Sequence, residues 1–169
     1  RWSGGGIAMD HGSHSFYLAF ALMGGYPRGV SATMFGADTP GGTEDSVTCT
    51  LRFERGFAHV YMSWSAGARK LCLSLQGERG AVFVDGDELQ LGAGSALRVD
   101  RMLSGFDDAA HGAWFGPLFE QLRAAVARGD HAGTEVRDAY HCARVVEQLV
   151  ESARRGSVEL PLDSALASA

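Results

Sequence analysis

Lysine is almost missing from this chain: Lys70 is the only one among 169 residues. With 15 Lys and Arg against 20 Asp and Glu the net charge is -5, and no stretch concentrates basic residues. That argues against a nucleic-acid partner, whose recognition needs a basic footprint. Long apolar runs are missing too, so no segment reads as a membrane span. Cysteine is sparse: Cys49, Cys72 and Cys142 are odd in number and form no Cys-x-x-Cys pair. Each lies in an apolar segment, so buried free thiols in a reducing cytoplasm are expected. The chain opens Arg1-Trp2-Ser3 instead of with a Met and a basic n-region, so no secretory leader is expected. The 23 glycines follow no fixed period, which excludes a repeat array.

What is present is ordinary globular material, 46% hydrophobic and 21% charged, enough for one domain with a proper core. The most informative stretch is Gly4-Gly5-Gly6-Ile7-Ala8-Met9-Asp10-His11-Gly12-Ser13-His14. The apolar run that follows, Phe16 to Met23, predicts a buried helix stopped by Gly24-Gly25. Asp10 is expected at its N-cap or in its first turn, where a carboxylate suits the positive end of the dipole. Asp10 and His14 are then four apart on one face, flanked by Ser13 and Tyr17. A carboxylate beside an imidazole can orient the ring and tune it as a general acid or base. From spacing alone a helix cap and a satisfied half-buried histidine are the better fit, because Asp and His four apart is a weak pattern. The spacing also fits a metal-dependent hydrolase or lyase using Asp10, His11 and His14, although zinc needs three or four ligands and the remaining histidines are scattered.

Downstream, Arg28 to Ala37 predicts a strand and Thr39 to Thr43 a loop. Asp45 to Phe53 alternates cleanly, with Val47, Cys49, Leu51 and Phe53 on one face. Glu54-Arg55-Gly56 predicts a hairpin turn. Phe57 to Ser65 returns with Ala58, Val60, Met62 and Trp64 inward. Phe57, His59, Tyr61 and Ser63 face outward and are too aromatic for a wet surface, which predicts a subunit interface there. Further strands are expected at Arg69–Gln76, 81–84, 88–91 and 95–99, joined by Gly-containing turns. Residues 101–112 are the least patterned segment and predict a loop, a candidate lid over the site. Two helices follow: Trp114–Arg128, with Pro117 in its first turn, and one capped by Thr134 that runs to Arg155. Their apolar stripes are Phe115, Leu118, Phe119, Leu122, Ala125 and Val126, then Val136, Ala139, Tyr140, Ala143, Val146, Leu149, Val150 and Ala153. Val158 to Leu160 predicts an edge strand. The expected fold is α+β over residues 1–162, one largely antiparallel sheet with helices packed on one face, followed by a tail at 163–169.

The run GGGIAMDHGSH with its apolar helix resembles the start of the C-terminal domain of the Gfo/Idh/MocA oxidoreductases, the glucose-fructose oxidoreductase and inositol dehydrogenase family. Glu44-Asp45 before the first alternating strand, FERG followed by SWSAG, QGERGAV, and ESARRGSVEL extend the resemblance from about Trp2 to Leu160. It implies the substrate-binding half of an NAD(P)-dependent dehydrogenase acting on a sugar, polyol or related hydroxyl compound. Asp10 and His14 are the implied catalytic pair, and Trp2, His11, Ser13 and Tyr17 the candidate substrate contacts. No Gly-x-Gly-x-x-Gly opens a βαβ unit, and Lys70 sits in a strand where the family's catalytic lysine cannot be. The implied parent therefore carries its Rossmann domain and NAD or NADP outside this chain, which alone is expected to bind no cofactor and to be inactive. Tyr17 stands where many members have an aspartate, which leaves the substrate open. The implied partners are a small-molecule substrate and a second copy, as homodimer or homotetramer through the sheet face, in the cytoplasm. The alternative reading is a non-enzymatic dimerisation or ligand-sensing module on the same sheet.

Overall fold

The computed structural model describes residues 5–36, 42–68, 70–101, 112–130 and 132–163. Trp2, the loop tip at 37–41, residues 102–111 of the expected lid and residues 164–169 of the tail lie outside them. The chain divides into two compact units, Arg1–Ala66 with Asp130–Ala169, and Gly67–Gly129.

The first unit holds α1 (Ile7–Asp10), α2 (Gly12–Met23), β1 (Gly29–Phe35), β2 (Ser46–Phe53), β3 (Gly56–Ser63), α4 (Thr134–Arg154) and β8 (Leu160–Pro161). Its four strands pair antiparallel in the order β3-β2-β1-β8. The β2–β3 register, Phe53 opposite Gly56, leaves Glu54-Arg55 as a two-residue turn. Gly56 closes it at φ +138, a conformation that a Cβ disfavours. Alternation then sorts the side chains. Val30, Leu51 and Ala58 lie side by side, as do Ala32, Cys49 and Val60, and Met34, Val47 and Met62. This face is the core, completed by Ile7, Phe16 and Phe20 from α1 and α2 and by Val145 and Leu149 from α4. The opposite face carries Thr50, bonded to His59 (Oγ1–Nδ1 2.9 Å), and the Arg52–Glu159 pair at 2.7 Å.

The second unit holds β4 (Cys72–Gly77), β5 (Gly80–Asp85), β6 (Glu88–Ala93), β7 (Ala96–Arg101) and α3 (Gly112–Arg128). Its strands form an antiparallel meander in chain order. Gly86 and Gly94, both at φ +58, begin its second and third two-residue turns. Leu73, Val84 and Leu89 share a face with Leu75, Val82 and Leu91.

The α+β class and the antiparallel pairing are as expected, but the strands make two four-stranded sheets and not one. The turns explain the division. Two-residue turns join β4 to β5, β5 to β6 and β6 to β7, so these strands pair with their sequence neighbours as a separate meander. Cys72 is exposed, unlike the buried Cys49 and Cys142. It faces away from Leu73 and Leu75, on the side of Ser74 and Gln76, because successive strand residues point to opposite faces. Helix α3 starts two residues earlier than expected, so Pro117 is its sixth residue. Its expected stripe forms, yet Phe115, Leu118, Phe119, Leu122 and Val126 are all exposed. Gly133, not Thr134, is the N-cap of α4, and no side chain caps it.

The end of α4 closes the edge of the first sheet. Strand β8 covers only Gly29 and Val30 of β1, which would leave the Ala32 amide bare. The fully buried Ser152 accepts from it (3.0 Å) and donates to the Val158 carbonyl (2.6 Å). One hydroxyl thus satisfies two backbone groups where the ladder stops. Ser152→Ala is expected to lower stability by about 2 kcal/mol, since the buried Ala32 amide loses its acceptor and the Val158 carbonyl its donor. Urea unfolding checks this: the midpoint falls at unchanged slope.

Candidate active site

The residues singled out in the sequence ride on an arm made of α1 and α2. Contrary to expectation, the helix does not begin at Asp10. A first turn begins at Ile7, Asp10 ends it, and His11 at φ -102, ψ -16 joins it to α2. The cause is Glu44. Its carbonyl accepts from the Ile7 amide (3.1 Å) and its carboxylate Oε1 from the Ala8 amide (3.2 Å). A residue 36 positions away along the chain therefore supplies the N-terminal acceptors that Asp10 was expected to provide. Gly6 permits the approach, because a Cβ there would overlap both the Glu44 carbonyl and its carboxylate. At the other end Gly24 adopts φ +70, and the Gly25 amide returns to the Phe20 carbonyl at 3.1 Å, the glycine stop that was expected.

Asp10 is consequently free to turn to its neighbour. Its Oδ2 lies 3.3 Å from His11 Nε2, and both side chains are half exposed. Among the described residues no hydrogen bond or ion pair joins Asp10 to His14. The His11 and His14 rings are 6.4 Å apart between centroids and tilted by 52°. His14 instead lines an open groove of about 480 Å³ with Met9, Ser13 and Tyr17 on one wall. The other wall is α4: Glu135, Asp138, Ala139, Cys142, Ala143 and Val146. Of the expected site residues, the fold thus gathers Ser13, His14 and Tyr17 in one groove, and pairs Asp10 with His11 beside it. Among the described residues no three His, Cys, Asp or Glu side chains converge as metal ligands.

Glu135 and Asp138 were not anticipated. They are three apart, so they share a helix face with Cys142 and Val146. Their signal was the mismatch between the expected apolar stripe and its two acidic neighbours. Behind Asp138 lies an aromatic support. The Tyr26 hydroxyl donates to Asp138 Oδ1 at 2.7 Å. The Tyr26 ring stacks on His141 at 3.7 Å and meets Phe20 edge-on at 5.3 Å. Burial, then the bond to Asp138, pushes the Tyr26 hydroxyl up to about 12. Burial also pushes the Cys142 thiol up to about 11, and its Sγ–H donates to the Ser13 carbonyl at 3.6 Å. That contact tethers α4 to α2.

Residues 1–83 match the family model of the GFO/IDH/MocA C-terminal domain. That part of the chain is similar to the GFO/IDH/MocA C-terminal domains. Solved structures agree in fold. The WlbA dehydrogenase from Bordetella pertussis, in complex with NADH and UDP-GlcNAcA, is 22% identical at a TM-score of 0.66, covering 94% of this chain and 48% of its own. An oxidoreductase from Agrobacterium radiobacter, in complex with NAD+, L-tartaric acid and magnesium, is 19% identical at 0.70, covering 92% and 48%. GenD2 from gentamicin A biosynthesis, in complex with NAD, is 21% identical at 0.70, covering 95% and 49%. The chain spans about half the length of these structures. No curated protein matches it. Among the described residues no helix is long and apolar enough to cross a membrane.

The support behind Asp138 has a pH signature. Burial lowers the pKa of His141 below its ordinary 6.5, with the Asp138 charge opposing in part. The unfolded chain therefore binds a proton before the folded one does as pH falls through 6.5. Stability contributed by burying the neutral ring is present above that value and is lost below it, down to the folded-state pKa. Thermal melts from pH 7.5 to 5.5 are expected to show a falling Tm, and His141→Phe to flatten that slope.

Proposed function

We propose that this chain is the substrate-binding and proton-transfer half of an NAD(P)-dependent oxidoreductase acting on a sugar, polyol or related hydroxyl compound. The observation that carries the reading is His14, which faces a groove large enough for a small polar substrate, on an arm whose residues match the family model. The bound NAD and NADH of the structural neighbours support the cofactor. The described strands do not themselves make a cradle for it. All pair antiparallel, so no βαβ unit presents a glycine turn and helix N-terminus to a pyrophosphate. The dinucleotide, which supplies hydride chemistry when bound, belongs to a domain outside this chain.

Within the chain the work is proton transfer. The His14 imidazole takes the proton of the substrate hydroxyl as the alcohol becomes a carbonyl, and returns it in reverse. Asp10 acts with it as the catalytic pair. In the resting arm its carboxylate engages His11, so His11 competes with His14 for Asp10. Ser13, Tyr17 and Trp2 complete the substrate contacts. In the full-length enzyme His14→Ala is expected to lower kcat by about 10²- to 10⁴-fold, with NAD(P) affinity and Tm unchanged. Turnover retained within a few-fold would contradict the assignment.

A second reading, a dimerisation or ligand-sensing module, is favoured by the outer face of the first sheet. Phe57 is 64% and Tyr61 71% exposed there, with Phe35 exposed on the same face. We assign this face to a contact between copies, which serves an enzyme half and a sensing module alike. Light scattering is expected to give a dimer or tetramer that Tyr61→Glu dissociates, whereas a monomer at high concentration would remove the interface.

A further inference from the structure

The groove carries more information than its histidine. Its described polar lining is Ser13, His14, Tyr17, Glu135 and Asp138, with the Cys142 thiol, and among the described residues it includes no lysine or arginine. The two carboxylates differ in their freedom. Asp138 already accepts from the Tyr26 hydroxyl at 2.7 Å, which spends one oxygen and fixes its orientation. Glu135 has no hydrogen bond or ion pair among the described residues, although it stands in the wall of the groove. It lies in the first turn of α4, where a carboxylate suits the positive end of the helix dipole. An ionised carboxylate only accepts hydrogen bonds, so it suits a ligand that presents donors. A ligand carboxylate entering the same groove finds no lysine or arginine among the described lining residues to meet it and two anions to repel it.

We propose that Glu135 determines specificity in this groove by selecting uncharged polyhydroxy compounds over their carboxylated counterparts. The proposal rests on the oxidoreductase reading above for its place in a reaction, and on the groove alone for its sign. Hydroxyls of a neutral sugar donate to Glu135 and to the open oxygen of Asp138, with His14 left for the reacting hydroxyl. A carboxylate on the same ring loses those bonds and adds like-charge repulsion, which is how an enzyme rejects a close relative of its substrate.

The test uses D-glucose and D-glucuronate, which share a ring and differ by one carboxylate. Each is titrated into the chain and its variants, with binding followed by NMR shifts of the Ser13, Tyr17 and Ala139 amides. The wild type is expected to bind glucose about tenfold more tightly, the ratio that one modest unfavourable charge contact produces. Glu135→Gln narrows the ratio to about two- or threefold by strengthening glucuronate, and Glu135→Arg reverses it. A ratio unchanged in Glu135→Gln, or groove resonances that respond to neither sugar, would overturn the proposal. NAD(P)+ reduction by the full-length enzyme is measured separately. Charge selection without any turnover would contradict the oxidoreductase reading while leaving the selectivity of the groove in place.

Discussion

The contact between Glu44 and the start of α1 positions the arm that carries Ser13, His14 and Tyr17. One residue presents two acceptors, a carbonyl and a carboxylate oxygen, to two successive amides that a helix start leaves unpaired. Because Glu44 lies two residues before β2, one of the two central strands of the first sheet, the arm is pinned beside a buried part of that sheet. Val47 and Leu51 in β2 and Phe16 in α2 have no exposed surface. From that anchor the geometry of α1 sets where Asp10 falls, and the joint at His11 sets where Ser13, His14 and Tyr17 point.

Helix α4 supplies the second half of the arrangement, and its two ends do different work. Near its C-terminus Ser152 replaces the missing rung of the β1 edge. Near its N-terminus Glu135 and Asp138 form a wall of the groove. Between them Cys142 is bonded to the Ser13 carbonyl of α2, and Tyr26 with His141 buttresses Asp138 from behind. A helix tied at one end into the sheet holds carboxylates at the other end at a fixed distance from the arm. That rigidity is what a selective polar groove requires, since loosely held side chains would adapt to either ligand.

Much of this was legible in local pattern. Alternation in β2 and β3 named the core face, and Gly24, Gly56 and the glycine turns of the meander were found where positive φ or a stop demands them. The sequence pattern also pointed to the arm and to His14. What it missed came from partners distant in the chain. Asp10 looks like a cap only while Glu44 is unknown. The apolar stripe drawn on α4 included Val136 and Tyr140, which are exposed, and omitted His141 and Ser152, which are buried. Polar residues with internal partners count as core, and hydropathy does not register the partner. Glu135 and Asp138 were passed over because only the packing of α4 against α2 places them in the groove wall opposite His14. The division into two sheets reflects pairing choices among strands of similar composition, which periodicity alone does not resolve.

The central claim is that Glu44 holds the arm that presents the site, and amide hydrogen exchange tests it most directly. In Glu44→Ala the Ala8 amide loses its acceptor, while the Ile7 bond to the backbone carbonyl remains available. The account predicts that Ala8 exchanges about tenfold faster, the effect of losing an N-terminal cap of about 1.4 kcal/mol, with faster exchange spreading through Met9 and Asp10 and the strands β1 to β3 unaffected. Protection at Ala8 that is the same in Glu44→Ala as in the wild type would contradict it, and would mean that the packing of Ile7 and Ala8 alone holds the arm in place.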